Sequence, residues 1–487
     1  MLDTAWRQLR HGLAVVAGRR IRTADVEMLA RHVRRTRAEF GRLDHEQVME
    51  ALGRVTDPAV REVADARRWR AAVKTAYRDT VYYRQTLDRL GLRPEELTYA
   101  RRAELPPTPK SALRALPEAF VSDRSEPVLQ AYTTGSTGVP TSCWFSTYEL
   151  ELAAGYGAMF RMMNAGLGPS DVLQIAASSR AALAVHTTLR SAQLIGAGFV
   201  LVGVIDPEEA LARLATPVHL PGKKPRVSAL TINPSHLGEL VQAGERLGYR
   251  PGDFGLEQIA CGGEILTAAL TRRAEALFGA TVRDTYGMTE TYPVSGQNCT
   301  EGHLHFAAEQ GLLEVLDPET FAPAKPGEVG MLVATPYQPY RETTLVLRYA
   351  TGDLVRTLTE QPTCEMAGQP ATSPLLGKAE FSPGQGSTRL YQRDILELLE
   401  AERALPLPIR YRTDPASDGF DLHVQGPEDD TALLSRLETR ASDAGLPVRK
   451  IVLHDDLAGV GRPQFVRSLL RETVVTRDEE AGTWTLR

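Results

Sequence analysis

Tyr132-Thr133-Thr134-Gly135-Ser136-Thr137-Gly138-Val139-Pro140-Thr141 gathers five serine and threonine hydroxyls and two glycines into ten residues. Glycine lacks the Cβ that blocks close approach, so the backbone N–H groups and hydroxyls of such a loop can close on a polyphosphate. No Gly-Lys-Ser/Thr ending follows, and Val139 stands where a lysine would be, so this is not a Walker A loop. Alone, the stretch reads equally well as a Gly/Ser/Thr surface turn. Residues downstream decide between the two.

Three further signals follow it in order. Cys261-Gly262-Gly263-Glu264 closes an apolar run, at the strand end where open α/β sheets gather ligands. Tyr286-Gly287-Met288-Thr289-Glu290 offers an aromatic face for a base, a hydroxyl, and a carboxylate able to hold Mg²⁺. Tyr349-Ala350-Thr351-Gly352-Asp353 sets a carboxylate after a glycine turn, suited to accept hydrogen bonds from a ribose diol.

The surrounding chain has the organisation of an α/β protein. Between residues 171 and 334, apolar runs such as DVLQIAA, GAGFVLVGV and VSALTI alternate with helical stretches, the pattern of a parallel sheet faced by helices. Residues 1–66 read as a helical, arginine-rich segment, with Val26, Leu29 and Val33 at helical spacing. Residues 67–377 form the large domain. After Gly377 a glycine-rich stretch leads into alternating short elements, so residues 378–487 are expected to be a small α+β domain. With 487 residues, the chain exceeds one hydrophobic core.

Bulk composition excludes several classes. The net charge of −5 gives no reason to expect nucleic acid, and no apolar run reaches the ~20 residues of a membrane span. The N-terminus lacks the apolar stretch of a signal peptide, and four scattered cysteines suit a reducing cytoplasm. Only seven of the 56 basic residues are lysine, which narrows the candidates for any lysine-dependent step.

In order and spacing, the four motifs resemble the adenylate-forming superfamily of acyl-CoA synthetases, adenylation domains and luciferases. More narrowly, Tyr82-Tyr83-Arg84, closing YRDTVYYR, and Pro106-Pro107-Thr108-Pro109-Lys110 resemble the paired N-terminal motifs of the phenylacetate–CoA ligase family. The likeness runs from Trp69 to Leu470. It implies a large adenylate-forming domain with mixed sheets and a small mobile C-terminal lid. Thr133, Thr134, Gly135, Ser136, Thr137 and Gly138 would cradle the ATP phosphates. Gly263 and Glu264 would line the adenine and acyl region, with Tyr286 and Gly287 against the adenine. Thr289 would contact the α-phosphate, Glu290 would ligate Mg²⁺, and Asp353 would hold the ribose. The implied reaction is activation of a carboxylic acid, expected to be aromatic within this family, as its acyl-adenylate, followed by transfer to CoA.

Two motifs depart from the family pattern. The hinge, usually Gly-Arg-x-x-Asp, reads Gly377-Lys378-Ala379-Glu380-Phe381, with Lys378 as the basic member. Where a C-terminal lysine is expected, the chain reads Val460-Gly461-Arg462-Pro463-Gln464, and a planar guanidinium is no free substitute for an ammonium. The acceptor half is therefore open: an amine-using amide ligase, a nitrite-using diazotase or an inert nucleotide-binding protein are the alternatives. Some relatives hold zinc beside the acyl site. Here Cys299, His305 and Cys364 match three ligands, Met366 falls at the fourth, and Glu365, His303 or water would complete the set. Arg180, His186, His236 and Tyr292 fall on segments that line the acyl pocket in the family. The expected partners are a small-molecule acid and an acceptor, with the chain a monomer or a homodimer.

Overall fold

The computed structural model describes residues 2–41, 58–133, 140–178, 181–384, 388–457, 475–478 and 483–486. Helices α1 (Leu2–Ala17) and α2 (Thr23–Phe40) are joined by a buried charge: Asp25 accepts from Arg7 at 3.0 Å and is chelated by Arg10. Helix α3 (Pro58–Asp79) runs without a break across residues 66 and 67, so the N-terminal segment and the large domain share one continuous helix at that point. Thr80 caps α4 (Val81–Leu90) by accepting from the Tyr83 amide, and Gly91 ends it in the left-handed region. After α5 (Lys110–Ala115), strands β1 (Pro127–Tyr132) and β2 (Ser142–Ser146) form an antiparallel hairpin. At the open end of the hairpin the Thr133 amide donates to the Thr141 carbonyl at 2.9 Å.

Helix α6 (Thr147–Met163) begins at a capping box in which Ser146 and Glu149 satisfy each other's amides. Then β3 (Val172–Ala176), α7 (Ala182–Ile195), β4 (Gly198–Leu201), α8 (Pro207–Ala215), β5 (Ala229–Ile232), α9 (Pro234–Leu247), β6 (Gln258–Gly262), α10 (Ala268–Phe278) and β7 (Thr281–Gly287) alternate as expected. Strands β4, β3, β5, β6 and β7 are parallel neighbours in that order. Beyond β7 the sheet turns antiparallel through β8 (Ser295–Asn298) and β9 (Leu304–Phe306), and β13 (Ala371–Thr372) completes it. Strand β3 shows why helices cover both faces. Val172 and Ala176 enter the apolar cluster under α8, α9 and α10, while Leu173 and Ile175 enter the one under α2, α6 and α7.

A second, antiparallel sheet joins β10 (Gly311–Leu316), β11 (Val329–Pro336), β12 (Tyr349–Arg356) and β14 (Gly377–Lys378). Beyond it, α11 (Gln392–Glu400), β15 (Tyr411–Ala416), β16 (Gly419–Gln425), α12 (Thr431–Asp443) and β17 (Val448–His454) build a three-stranded lobe, and β18 (Val475–Asp478) pairs with β19 (Thr483–Leu486). The core does not stop at Gly377. Leu396 and Leu399 of α11, Leu422 of β16 and Leu433 of α12 share one cluster with Leu270 and Leu277 of α10. Polar ties reinforce that seam: Glu400 accepts from the Thr267 hydroxyl, Glu397 accepts from the Ala268 amide at 2.9 Å, and Arg393 donates to the Leu266 carbonyl at 3.0 Å. Among the described residues no helix is long and apolar enough to cross a membrane.

Candidate functional site

Strand β7 sits where the large sheet changes from parallel to antiparallel pairing, and its C-terminal end faces the second sheet. Tyr286 reaches across that gap. Its hydroxyl donates to Asp353 Oδ2 at 2.9 Å, while the ring stands edge-on to Phe306. Register explains the other half of the contact: Asp353 of β12 is paired with Lys378 of β14, whose Nζ lies 2.7 Å from Asp353 Oδ1. Lys378 also donates to the Thr351 carbonyl at 3.2 Å. Burial first, and the neighbouring Asp353 second, push the Tyr286 hydroxyl far above its usual titration range, so it remains a donor.

Below this pair the ends of β6 and β7 leave a cradle. Gly263 has φ +87°, and a Cβ added there or at Gly287 would meet nothing within 4 Å. Gly262 is the opposite case, since a Cβ there would lie 2.7 Å from the Thr285 carbonyl oxygen. One glycine lets the strands approach and the others keep the space above them open.

Glu290 follows in the turn after β7 and is buried. Its Oε1 accepts from the Tyr349 hydroxyl at 3.2 Å and lies 3.4 Å from Lys110 Nζ. Lys110 is a site residue that motif reading passed over. It gets there because the Pro-Pro-Thr-Pro turn docks on β12: the Thr108 amide donates to the Arg348 carbonyl at 2.8 Å, and Thr108 forms a bridge with Tyr349. Tyr83 locks the turn, sharing a 2.9 Å hydrogen bond with the Thr108 hydroxyl and accepting from the Leu347 amide at 2.6 Å. The two N-terminal motifs are thus one device, and their product is an ammonium beside Glu290. Glu380, in the turn after β14, lies in the same field: burial raises its pKa, and Lys110, Lys378 and Arg114 oppose that rise. A hard, oxygen-seeking cation suits a carboxylate such as Glu290, whose ion-pair partner among the described residues is Lys110.

Other expected residues are distributed unevenly. Thr289 is half-buried in the turn beside Glu290. Glu264 points away from the cradle, accepting from Asn233 Nδ2 at 3.1 Å and the Ser235 amide at 2.8 Å, and so holds the start of α9. His236 is fully buried and spends Nδ1 on Glu239 at 2.8 Å. His186 lies on the exposed side of α7, opposite Thr188. Tyr292 stands edge-on to Phe145, whose other neighbour is the Arg341 guanidinium, 4.0 Å from the ring centre. Among the described residues Arg161, near Tyr292, bonds neutral groups: Thr188 Oγ1 at 2.8 Å, Gly157 O and Ser191 Oγ. Burial lowers its pKa, and Tyr292 partly offsets this. Thr134, Gly135, Ser136, Thr137, Gly138, Arg180 and Arg462 lie outside the described residues.

A separate cluster brings Cys299, His303, His305 and Cys364 together, with their donor atoms all within 4.8 Å of one another. His303, not Met366, is the fourth donor. Cys299 Sγ lies 3.6 Å from His303 Nδ1, and Cys364 Sγ lies 3.2 Å from His305 Nε2. Zn–S of ~2.3 Å and Zn–N of ~2.0 Å at tetrahedral angles require a sulfur–nitrogen separation of about 3.5 Å. The donor set and its spacing therefore fit a closed, four-coordinate zinc. Thr300 and Glu365 tie the same two segments, with the amide bond at 2.9 Å. Because β8 pairs Gly296 with Tyr286, this cluster lies one strand away from β7, the interior strand that carries Tyr286.

The family described as AMP-binding enzyme matches residues 43–338. The chain is 26% identical over 331 residues to the phenylacetate-coenzyme A ligase of Thermus thermophilus, covering 64% of this chain and 69% of that ligase. It is 27% identical over 302 residues to that of Aromatoleum evansii, covering 59% and 64%. Among solved structures, a 2-hydroxyisobutyryl-CoA ligase in the postadenylation state superimposes with a TM-score of 0.69 at 20% identity, covering 84% of this chain and 89% of that one. The ATP-bound MatB of Rhodopseudomonas palustris gives 0.52 at 19% identity, covering 77% and 71%. With more than half of its length matched and the fold shared, the chain belongs to the AMP-binding enzyme family of the adenylate-forming superfamily.

Proposed function

We propose that the protein activates a carboxylic acid with ATP as an acyl-adenylate, releasing pyrophosphate, and then passes the acyl group to the CoA thiol with release of AMP. What carries the reading is the convergence of Tyr286, Asp353 and Lys378 on one side and Glu290 and Lys110 on the other, around the open cradle at Gly263 and Gly287. Adenylation brings two anions together: a carboxylate oxygen attacks the α-phosphorus, the new P–O bond forms, and the bond to the β-phosphate oxygen breaks. Neither Tyr286 nor Glu290 reacts covalently. Tyr286 and Asp353 fix the nucleoside, Lys110 and Lys378 supply positive charge, and the buried frame excludes water. Magnesium held by Glu290 would add charge on the phosphate oxygens. Cys299, His303, His305 and Cys364 would hold a structural zinc outside the chemistry.

The acid is proposed to be aromatic, on the likeness to phenylacetate-coenzyme A ligases and on Phe145 and Tyr292 as ring surfaces near Arg161. A pyrophosphate-release screen over aryl and aliphatic acids, with and without CoA, tests the reading. Release with an aryl acid and CoA supports it. Release only with nitrite plus an arylamine would replace it by diazotisation, and ATP binding without any release would leave a non-catalytic nucleotide binder.

A further inference from the structure

Helix α1 lies outside the family-matched residues 43–338, and it is docked with its polar side inward. Arg7 and Arg10 bind buried Asp25, His11 contacts the Tyr156 hydroxyl, and Ala14 and Val15 pack on the apolar cluster beneath. The outward side is left apolar. Trp6, Leu9, Leu13 and Val16 are 58%, 54%, 60% and 51% exposed. Ala5, Gly12 and Ala17 are exposed beside them, and Gln8 is the polar residue on that side. An ordinary surface helix has the reverse arrangement.

Spacing identifies the occupant. Residues 6, 9, 13 and 16 follow the alternating three- and four-residue steps of a helix–helix seam. The pattern also reads the same in both directions about His11: Ala5 mirrors Ala17, Trp6 mirrors Val16, and Leu9 mirrors Leu13. Two copies related by a two-fold axis would therefore lay Trp6 on Val16 of the partner subunit and Leu9 on Leu13 of the partner subunit, so that apolar side chains meet along the whole seam. Gly12, where an added Cβ would meet nothing within 4 Å, leaves a hole that lets the axes approach. The four large side chains offer roughly 500 Å² of apolar surface per copy, against the ~800 Å² that each partner contributes to a standard interface. No charged residue stands among the exposed ones from 5 to 17, so two copies meet without like-charge repulsion. A lipid surface would instead call for free arginines beside the stripe, whereas Arg7 and Arg10 are committed to Asp25.

We propose that α1 is a self-pairing surface through which two copies of the chain form an antiparallel, two-fold dimer. Sedimentation velocity of the full chain over a wide concentration range should show a dimer. Leu9→Glu/Leu13→Glu should weaken association about a hundredfold or more, because two charges per copy would be buried in the seam. Its far-UV circular dichroism and thermal midpoint should match the parent, which separates lost pairing from misfolding. Register is tested by crosslinking, since the four native cysteines are buried. Trp6→Cys/Val16→Cys should form a disulfide-linked dimer and Trp6→Cys alone should not. A parent that stays monomeric throughout, a dimer that survives the two glutamates, or crosslinking by Trp6→Cys alone would each overturn the proposal. So would a monomer that binds anionic lipid vesicles through α1.

Discussion

Removal of the proposed zinc gives the most quantitative test of the cysteine–histidine cluster. Cys364 and His305 are 59 residues apart in sequence, so a metal that joins them closes a loop of about that length. Treated as a crosslink, such a loop restricts the unfolded chain by about 4 kcal/mol at room temperature. A chain of 487 residues unfolds with an entropy of about 1 kcal/mol per kelvin, so losing the crosslink should lower Tm by about 4 °C. The perturbation is Cys364→Ala, which removes one buried donor and leaves His303 and His305 in place. Metal analysis of the purified protein should find one equivalent of zinc in the parent and much less in the variant. Calorimetry should then show the lower midpoint, and treatment of the parent with a strong chelator should reproduce it without affecting the variant. A parent that contains no zinc after purification with zinc present, or a variant whose midpoint and metal content equal the parent's, would refute the reasoning.

Tyr286→Phe keeps the ring and removes the hydroxyl that holds Asp353 Oδ2; loss of a hydrogen bond to a charged group, about 1.5–3 kcal/mol, should weaken ATP binding about tenfold or more by calorimetric titration. Unchanged affinity would separate Asp353 from the ribose. Lys110→Met should lower kcat/KM for ATP about tenfold or more in a pyrophosphate-release assay, and an unaltered rate would remove Lys110 from the phosphate field. Glu400 links α11 to Thr267, and burial raises its carboxyl to about 7 from an ordinary value of 4.5. Between those values the folded chain binds more protons than the unfolded one, so this group's contribution falls as pH rises from about 4.5 to about 7, by up to about 3 kcal/mol. Glu400→Gln should accordingly be more stable than the parent in urea melts at pH 8 and should lose that advantage at pH 4.5; equal gains at both would sink the explanation.

Much of the frame was legible because local chemistry and fold agree. Apolar runs separated by helical stretches gave the parallel part of the sheet, and motif order brought Tyr286, Glu290 and Asp353 to one place. What escaped reading depends on contacts distant in sequence. Lys110 meets Glu290 only because Thr108 and Tyr83 dock the proline turn on β12. Lys378 meets Asp353 through strand register, which a hinge motif does not encode. His303 joined the cysteine–histidine cluster because the β8–β9 turn folds its ring back on Cys299, a choice the spacing left open among three candidates. Glu264 meets the start of α9 because the free amides of that helix end attract a carboxylate. Position 66 falls inside α3, and helical periodicity does not mark where a domain begins.

The apolar seam between α10 and α11 constrains any movement of the C-terminal lobe. Any rotation that parts these helices would uncover leucines now shielded from water. Exposure of that kind carries a positive heat capacity, so the balance between the two arrangements would curve with temperature instead of following a single slope. A lobe that instead turns about a point beyond α11 would keep the leucines covered and show no such curvature. Temperature therefore reports where the pivot lies, and it does so without a probe attached to either lobe.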